Sequence, residues 1–118
     1  MMPFRQGARL AACALLLSAA VAGCARAPSA HGPVTHAVHM HALQFQPDTT
    51  TAAVGDTMVW TNDDIVPHTA TQDGNAWDTG QIQPHASARV VLARAGNAPF
   101  HCTVHPTMRG LVIVRGAP

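Results

Sequence analysis

The side chains best suited to chemistry lie in one short stretch, "FHCTVHPTMRG", residues 100–110. It places a thiol at Cys102, an imidazole at His105 and a thioether at Met108, with two residues between one and the next. Sulfur ligands are soft and imidazole is intermediate, so the trio suits copper better than calcium or magnesium, which take oxygen ligands. The spacing therefore predicts a loop that binds a soft transition metal.

Three donors on one loop cannot surround a metal, so a fourth ligand has to come from elsewhere in the chain. His68 in "IVPHT" is the best candidate, because Pro67 limits the freedom of the loop before it. Two histidines, one cysteine and a weak axial methionine form the arrangement of blue-copper electron-transfer sites. Zinc is the competing occupant, since cysteine and histidine also bind it, but the thioether argues against zinc.

Residues 1–23 are typical of a signal peptide. Two arginines precede an apolar run over residues 10–21, which is shorter than the roughly 20 residues that a membrane-spanning helix needs. An uncleaved anchor helix is the alternative interpretation. The closing "VAGC" resembles the lipobox of bacterial lipoproteins, which implies acylation of Cys24. We expect a lipid-anchored protein in the periplasm of a Gram-negative bacterium, with Ala25 favouring the outer membrane.

The remaining chain divides into a tether and one domain. Residues 24–33, "CARAPSAHGP", have no periodicity and predict a flexible tether, and residues 34–118 form the copper-binding domain. Of the three cysteines, Cys13 would leave with the signal peptide and Cys24 would carry the lipid. Cys102 is then a single thiol in a compartment that favours disulfides, and a metal ligand is its natural role.

Short alternating runs separated by turn residues fill the domain, and no helical period of useful length interrupts them. Val38 and Met40 alternate with histidines in the first run, and Met58 and Trp60 alternate in the second. "LVIVR" supplies a last strand near the end of the chain. The pattern predicts an all-β, antiparallel sandwich of two sheets with about seven to eight strands.

"FHCTVHPTMRGLVIV" resembles the C-terminal ligand loop of the cupredoxins, the blue copper family, and within it the amicyanin and plastocyanin-like group. The likeness extends through "LQFQP", "VGDTMVWTN", "VPHT" and "WDTG", so it covers nearly all of residues 34–114. The resemblance implies a cupredoxin-like Greek-key β-sandwich. It also implies one type 1 copper ion, with the equatorial ligands His68, Cys102 and His105 and the axial ligand Met108.

Thr69 departs from the family pattern, because cupredoxins of this kind often have asparagine beside the first histidine ligand. A threonine hydroxyl can still tie the two ligand loops together. The departure therefore bears on stability and redox tuning, and it leaves the type of copper site unchanged.

The ligand set predicts an electron carrier and not an enzyme, because four protein ligands leave no open position for a substrate. Val104, Pro106 and Pro67 flank His105 with apolar side chains. Such a patch allows redox partner proteins to dock briefly, and the resemblance implies that electrons pass at the edge of this histidine. We expect the protein to act as a monomer.

The alternative function is that of a copper carrier, or of a copper-delivery protein that takes part in copper resistance. The lipid tether and the extra histidines suggest it (His31, His36, His39 and His41). An adhesion-type β-domain is a third interpretation, but it gives no reason for the ligand set. His39 and His41 share a strand face, where they form a second metal patch or, as we favour, a solvated polar face.

Nucleic acid is excluded as a partner, because five arginines and six aspartates follow residue 23 and form no basic stripe.

Overall fold

The structure, a computed structural model, describes Gly23 and residues 32–117. These residues form eight strands in two four-stranded sheets, and none of them is helical. The strands are β1 (Thr35–His41), β2 (Gln44–Gln46), β3 (Thr49–Ala53), β4 (Thr57–Asn62), β5 (Thr71–Gln72), β6 (Ser87–Val91), β7 (Gly96–His101) and β8 (Arg109–Arg115). The predicted all-β sandwich is confirmed.

Residues 1–22 of the predicted signal peptide and residues 24–31 of the tether, with Cys24 and His31, lie outside the described residues. Within the described part of the chain, no helix has the length and hydropathy required to cross a membrane.

Both sheets mix parallel and antiparallel neighbours. The first sheet has the order β2-β1-β4-β6, with β1 parallel to β4, and the second has the order β3-β8-β7-β5, with β3 parallel to β8. The prediction of a purely antiparallel sandwich is therefore wrong. The chain crosses to the second sheet at β3 and returns to the first at β4, which brings β4 beside β1 in the same direction.

The buried face of the first sheet follows the alternation of the sequence. Val38 and Met40 of β1 and Met58 and Trp60 of β4 are fully buried, as predicted. Successive side chains of a strand point to opposite faces, so His39 and His41, which alternate with these residues, face outward. One continuous core between the sheets results.

Phe100 of β7 connects the aromatic part of the core to the ligand loop. Its ring packs edge-to-face against Phe45 and Trp60, with centroids 4.7 and 5.6 Å away. Across the ladder it pairs with Gly110 of β8, where a Cβ atom would lie 2.3 Å from the Phe100 ring. Because residue 110 is a glycine, the Phe100 ring can lie close against the backbone of β8. Phe100 itself is two residues before Cys102 in the chain.

A two-residue turn at Ala42 and Leu43 separates β1 from β2, although the sequence pattern runs through it as one alternating stretch. Both residues have left-handed backbone angles, with φ of 51° and 59°. Hairpins of this length favour Asn-Gly or similar pairs at these positions, and this turn contains neither residue. The position of the turn was therefore not predictable from its local sequence.

Candidate metal centre

Three side chains converge at one end of the sandwich. The donor atoms of His68, Cys102 and His105 lie within 4.8 Å of one another, and no other group of this kind occurs in the described part of the chain. Cys102 Sγ is 3.8 Å from His68 Nδ1 and 3.9 Å from His105 Nδ1, and the two nitrogens are 3.2 Å apart. Donors that share one metal at bond lengths of about 2.0–2.3 Å lie roughly 3–4 Å apart, so the group could hold one ion.

The loop between β7 and β8 carries Cys102, His105 and Met108 and is closed by its own backbone. The Cys102 N–H donates to the Met108 carbonyl at 3.0 Å, and the Met108 N–H donates to the His105 carbonyl at 2.8 Å. Met108 is almost fully buried and belongs to the hydrophobic core. These contacts hold the backbone of Met108, the predicted axial ligand, beside the backbone of Cys102.

His68 is fully buried and is fixed from both sides. Its backbone N–H and C=O both pair with Ile82, at 3.2 and 2.7 Å. The ring Nε2 lies 2.8 Å from Asp64 Oδ2. An ionised carboxylate can only accept hydrogen bonds, so Nε2 carries the ring proton and Nδ1 presents a lone pair toward Cys102.

Asp64 is ionised because its hydrogen bonds outweigh its burial. Burial is the largest single influence and raises the pKa of this carboxyl. The N–H of Leu43, the His68 ring and the N–H of Ala42 each donate to the carboxylate and lower the pKa, and the net direction is below the ordinary value. The partner of His68 is therefore a stable anion at neutral pH.

Thr69 ties the two ligand loops together, as predicted. Its hydroxyl accepts the Thr103 N–H at 2.9 Å and lies 3.2 Å from the Thr103 hydroxyl. Its own N–H donates to Cys102 Sγ at 3.3 Å. This N–H gives the Cys102 sulfur a fixed hydrogen-bond partner in the neighbouring loop.

Asn62 organises the loop that leads to His68, a role that the sequence analysis missed. Its side-chain amide is fully buried and donates to the carbonyls of Val66 and Ile82, at 2.8 and 2.9 Å. Its side-chain oxygen accepts the Asp64 N–H at 2.9 Å. The only available signal was a polar residue at an inward position of an alternating strand, which favours a buried structural hydrogen bond.

His105 is partly buried and lies between two exposed apolar residues of its loop. Val104 is 43% exposed and Pro106 is also exposed. We call Val104, His105 and Pro106, which are consecutive in the chain, the His105 surface. Pro67, the third residue of the predicted patch, is partly buried.

The remaining histidines each have separate surroundings. His36 contacts Asp56 at 2.8 Å and His39 contacts Asp63 at 2.7 Å, while His41 is mostly exposed. The exposed positions of His39 and His41 agree with the solvated polar face that we favour for these two residues. His101 points away from the neighbouring Cys102 and contacts Asp73 at 2.6 Å, as strand alternation predicts, and His85 is exposed.

Comparison with known proteins supports this description. A solved structure of a methionine-to-alanine mutant of amicyanin in its Cu(I) form matches with a TM-score of 0.63 and 27% identity, covering 73% of this chain and 85% of that one. A methionine-to-glutamine mutant of amicyanin in its Cu(I) form matches with a TM-score of 0.64 and 26% identity, covering 69% and 82%. No family model matches the chain.

The two sheets and the matches with solved structures define the class of fold, which is the cupredoxin fold of amicyanin. In sequence, the chain is similar to amicyanin from Paracoccus denitrificans, with 38% identity over 66 residues. That alignment covers 52% of this chain and spans half the length of the Paracoccus protein.

Proposed function

We propose that the protein is a type 1 (blue) copper protein that carries single electrons between redox partners. His68, Cys102 and His105 would be the equatorial ligands and Met108 the axial ligand. The observation that carries the proposal is the convergence of one sulfur and two imidazole nitrogens within 4.8 Å. A soft thiolate, two imidazoles and a buried thioether fit copper, whereas structural zinc sites use cysteine and histidine without a thioether.

Bound copper would supply a one-electron couple between Cu(I) and Cu(II). The chain keeps the donor atoms in place: the closed loop holds Cys102 and Met108, and Thr69 fastens this loop to the segment of His68. Donors that move little when an electron arrives or leaves allow fast transfer. Four protein donors leave no open position for a substrate, which favours electron transport over catalysis.

The His105 surface is our proposed docking site for the redox partners. His105 Nδ1 is 3.9 Å from the buried sulfur of Cys102, and the exposed Val104 and Pro106 flank this histidine in the chain, so its ring would offer a short path to the outside. A small apolar patch is suited to brief contact, because interfaces of limited area dissociate quickly. The protein would work as a monomer in this exchange.

Electron transport and copper delivery can be separated by one experiment. Copper(I)-loaded protein is mixed with a chemical oxidant and, separately, with a chelator that accepts copper. We expect oxidation within the mixing time and slow metal loss, because two anchored loops have to open before the copper can leave. Metal transfer that is faster than electron transfer would favour the alternative, a copper-delivery protein.

We also propose a periplasmic, lipid-anchored location, supported by "VAGC" after the apolar run and by the single thiol of the domain. Replacing Cys24 with serine should move the protein from the membrane fraction to the soluble fraction of Gram-negative cells. Cys13→Ser is the matched control and should leave the protein membrane-bound. A membrane-bound Cys24→Ser variant would contradict the lipid anchor.

A further inference from the structure

The carboxylate of Asp64 joins the buried ring of His68 to the turn between β1 and β2. Its Oδ1 accepts the Ala42 N–H at 2.8 Å, and its Oδ2 accepts the Leu43 N–H at 3.0 Å. The same Oδ2 accepts the His68 Nε2–H at 2.8 Å. One largely buried side chain, 14% exposed, therefore connects the loop that contains His68 to a turn 22 residues earlier in the chain.

The turn that holds this carboxylate is itself strained. Ala42 and Leu43 both have positive φ, a region that glycine and asparagine occupy readily and that other side chains rarely adopt. Successive N–H groups in such turns point into a common concavity and bind anions. Here the anion is the Asp64 carboxylate, so the hydrogen bonds compensate for the unfavourable backbone angles.

We propose that Asp64 is the positioning residue for His68 and that the Ala42–Leu43 turn in turn positions Asp64. This inference rests on the proposed copper function. The carboxylate fixes the proton on Nε2, directs the Nδ1 lone pair toward Cys102 and prevents rotation of the ring. The turn prevents the carboxylate from following the ring, because two backbone N–H groups also hold its oxygens.

Asp63 provides a matched control for the loss of a carboxylate near the site. It is the neighbour of Asp64 and has the same charge, but it is more exposed and contacts the exposed His39. Asp64→Ala and Asp63→Ala therefore change the net charge equally. Only the first removes the hydrogen bond to His68.

The first measurement uses the metal-free protein and does not depend on copper. Nitrogen-15 NMR of the histidine rings reports which nitrogen of His68 carries the proton. We expect a single Nε2–H form at neutral pH in the wild type and in Asp63→Ala, and a mixture of forms in Asp64→Ala. An unchanged His68 signal in Asp64→Ala would overturn the positioning role.

The second measurement is copper(I) affinity, determined by competition with a chromophoric chelator. Loss of a hydrogen bond that orients a metal ligand typically weakens binding about 10- to 100-fold, and we expect this range for Asp64→Ala. Asp63→Ala should bind like the wild type. Equal affinities of the two variants would overturn the inference, whereas a wild type that fails to bind copper would contradict the proposed function instead.

A turn variant separates the effect on His68 from the effect on folding. Ala42→Asn combined with Leu43→Gly places the preferred residues at both left-handed positions and should stabilise the hairpin without Asp64. In this background Asp64→Ala should fold well and still lose copper affinity. If its affinity returns to the wild-type value, Asp64 acts only by holding the turn, and its direct role at His68 is wrong.

Discussion

At the candidate metal centre, side chains of one ligand loop form hydrogen bonds with groups of the other loop. Thr69 illustrates this best, because its hydroxyl accepts the Thr103 N–H while its backbone donates to the sulfur of Cys102. The asparagine that cupredoxins often have at this position could form more hydrogen bonds, but the threonine already connects the two loops by hydrogen bonds. A small hydroxyl therefore supports the geometry on which the copper proposal depends.

Replacing Thr69 with valine should destabilise the metal-free protein by about 1–3 kcal/mol, because the Thr103 N–H loses its partner while the shape of the side chain is retained. Denaturation by urea measures this loss. Thr51→Val is the control, since Thr51 is exposed on β3 and its replacement should change stability by no more than about 0.5 kcal/mol. Equal stabilities of the two variants would contradict the role of the hydroxyl.

At the scale of secondary structure, β7 and β8 frame the loop that carries three of the four proposed ligands. They form the longest antiparallel ladder of the second sheet, from Gly96–Val114 to His101–Arg109. Phe100 packs its ring over Gly110 within this ladder. The close approach fixes the spacing of the strands immediately before Cys102 and after Met108.

Gly110→Ala should therefore weaken the fold near the ligand loop. The added methyl group would overlap the Phe100 ring, and overpacking of this kind typically costs about 1–3 kcal/mol. We expect a lower unfolding temperature of the metal-free protein. Gly116→Ala is the matched control, because a Cβ atom there meets nothing within 4 Å. A Gly110→Ala variant as stable as Gly116→Ala would show that the ring is free to move.

The sequence predicts some secondary-structure elements better than others. Alternation placed Val38, Met58 and Trp60 correctly in the core, since a period of two residues follows directly from strand geometry. The parallel pairing of β1 with β4 was not predictable, because the choice of neighbours depends on where the chain crosses between the sheets. The turn at Ala42 and Leu43 lacks the usual turn residues and is held by a contact with the distant Asp64.

The sequence likewise predicts only part of the candidate metal centre. Residue type and spacing were sufficient to propose Cys102, His105 and Met108 as ligands, because three potential donors share one short loop. The inward position of Asn62 in β4 indicated a buried hydrogen bond but not its partners. The contacts of Asp64 were not predictable, since aspartate is common in exposed loops.

At the scale of the whole molecule, Asp56 fastens three strands near the start of β4. It accepts the N–H of Val34 before β1 at 2.9 Å, the ring of His36 at 2.8 Å and the N–H of Ala53 at 2.9 Å. The Val34 N–H, followed by His36 and Ala53, lowers the pKa of Asp56 from 3.8 to about 2. The folded state thus holds this carboxyl in its ionised form.

A carboxyl whose pKa is lower in the folded protein stabilises the fold above its unfolded pKa, and this stability is lost as the pH falls through the folded value. For Asp56 the window extends from 3.8 down to about 2. We expect the unfolding temperature of the metal-free wild type to fall across this window. Asp56→Asn should be less stable at neutral pH and show a flatter dependence below pH 3.8. The exposed Asp48→Asn is the control and should retain the wild-type slope. An equal slope in Asp56→Asn would assign the acid sensitivity to other groups.

The absorption spectrum of the copper(II)-loaded protein tests the central claim most directly. A copper ion bound by the Cys102 thiolate and two imidazoles should give an intense blue colour through sulfur-to-copper charge transfer. Cys102→Ser should fold, because serine is similar in size, but its copper(II) form should lack this band. A wild-type protein that binds one copper(II) ion and remains colourless would contradict the type 1 site and, with it, the proposed electron carrier.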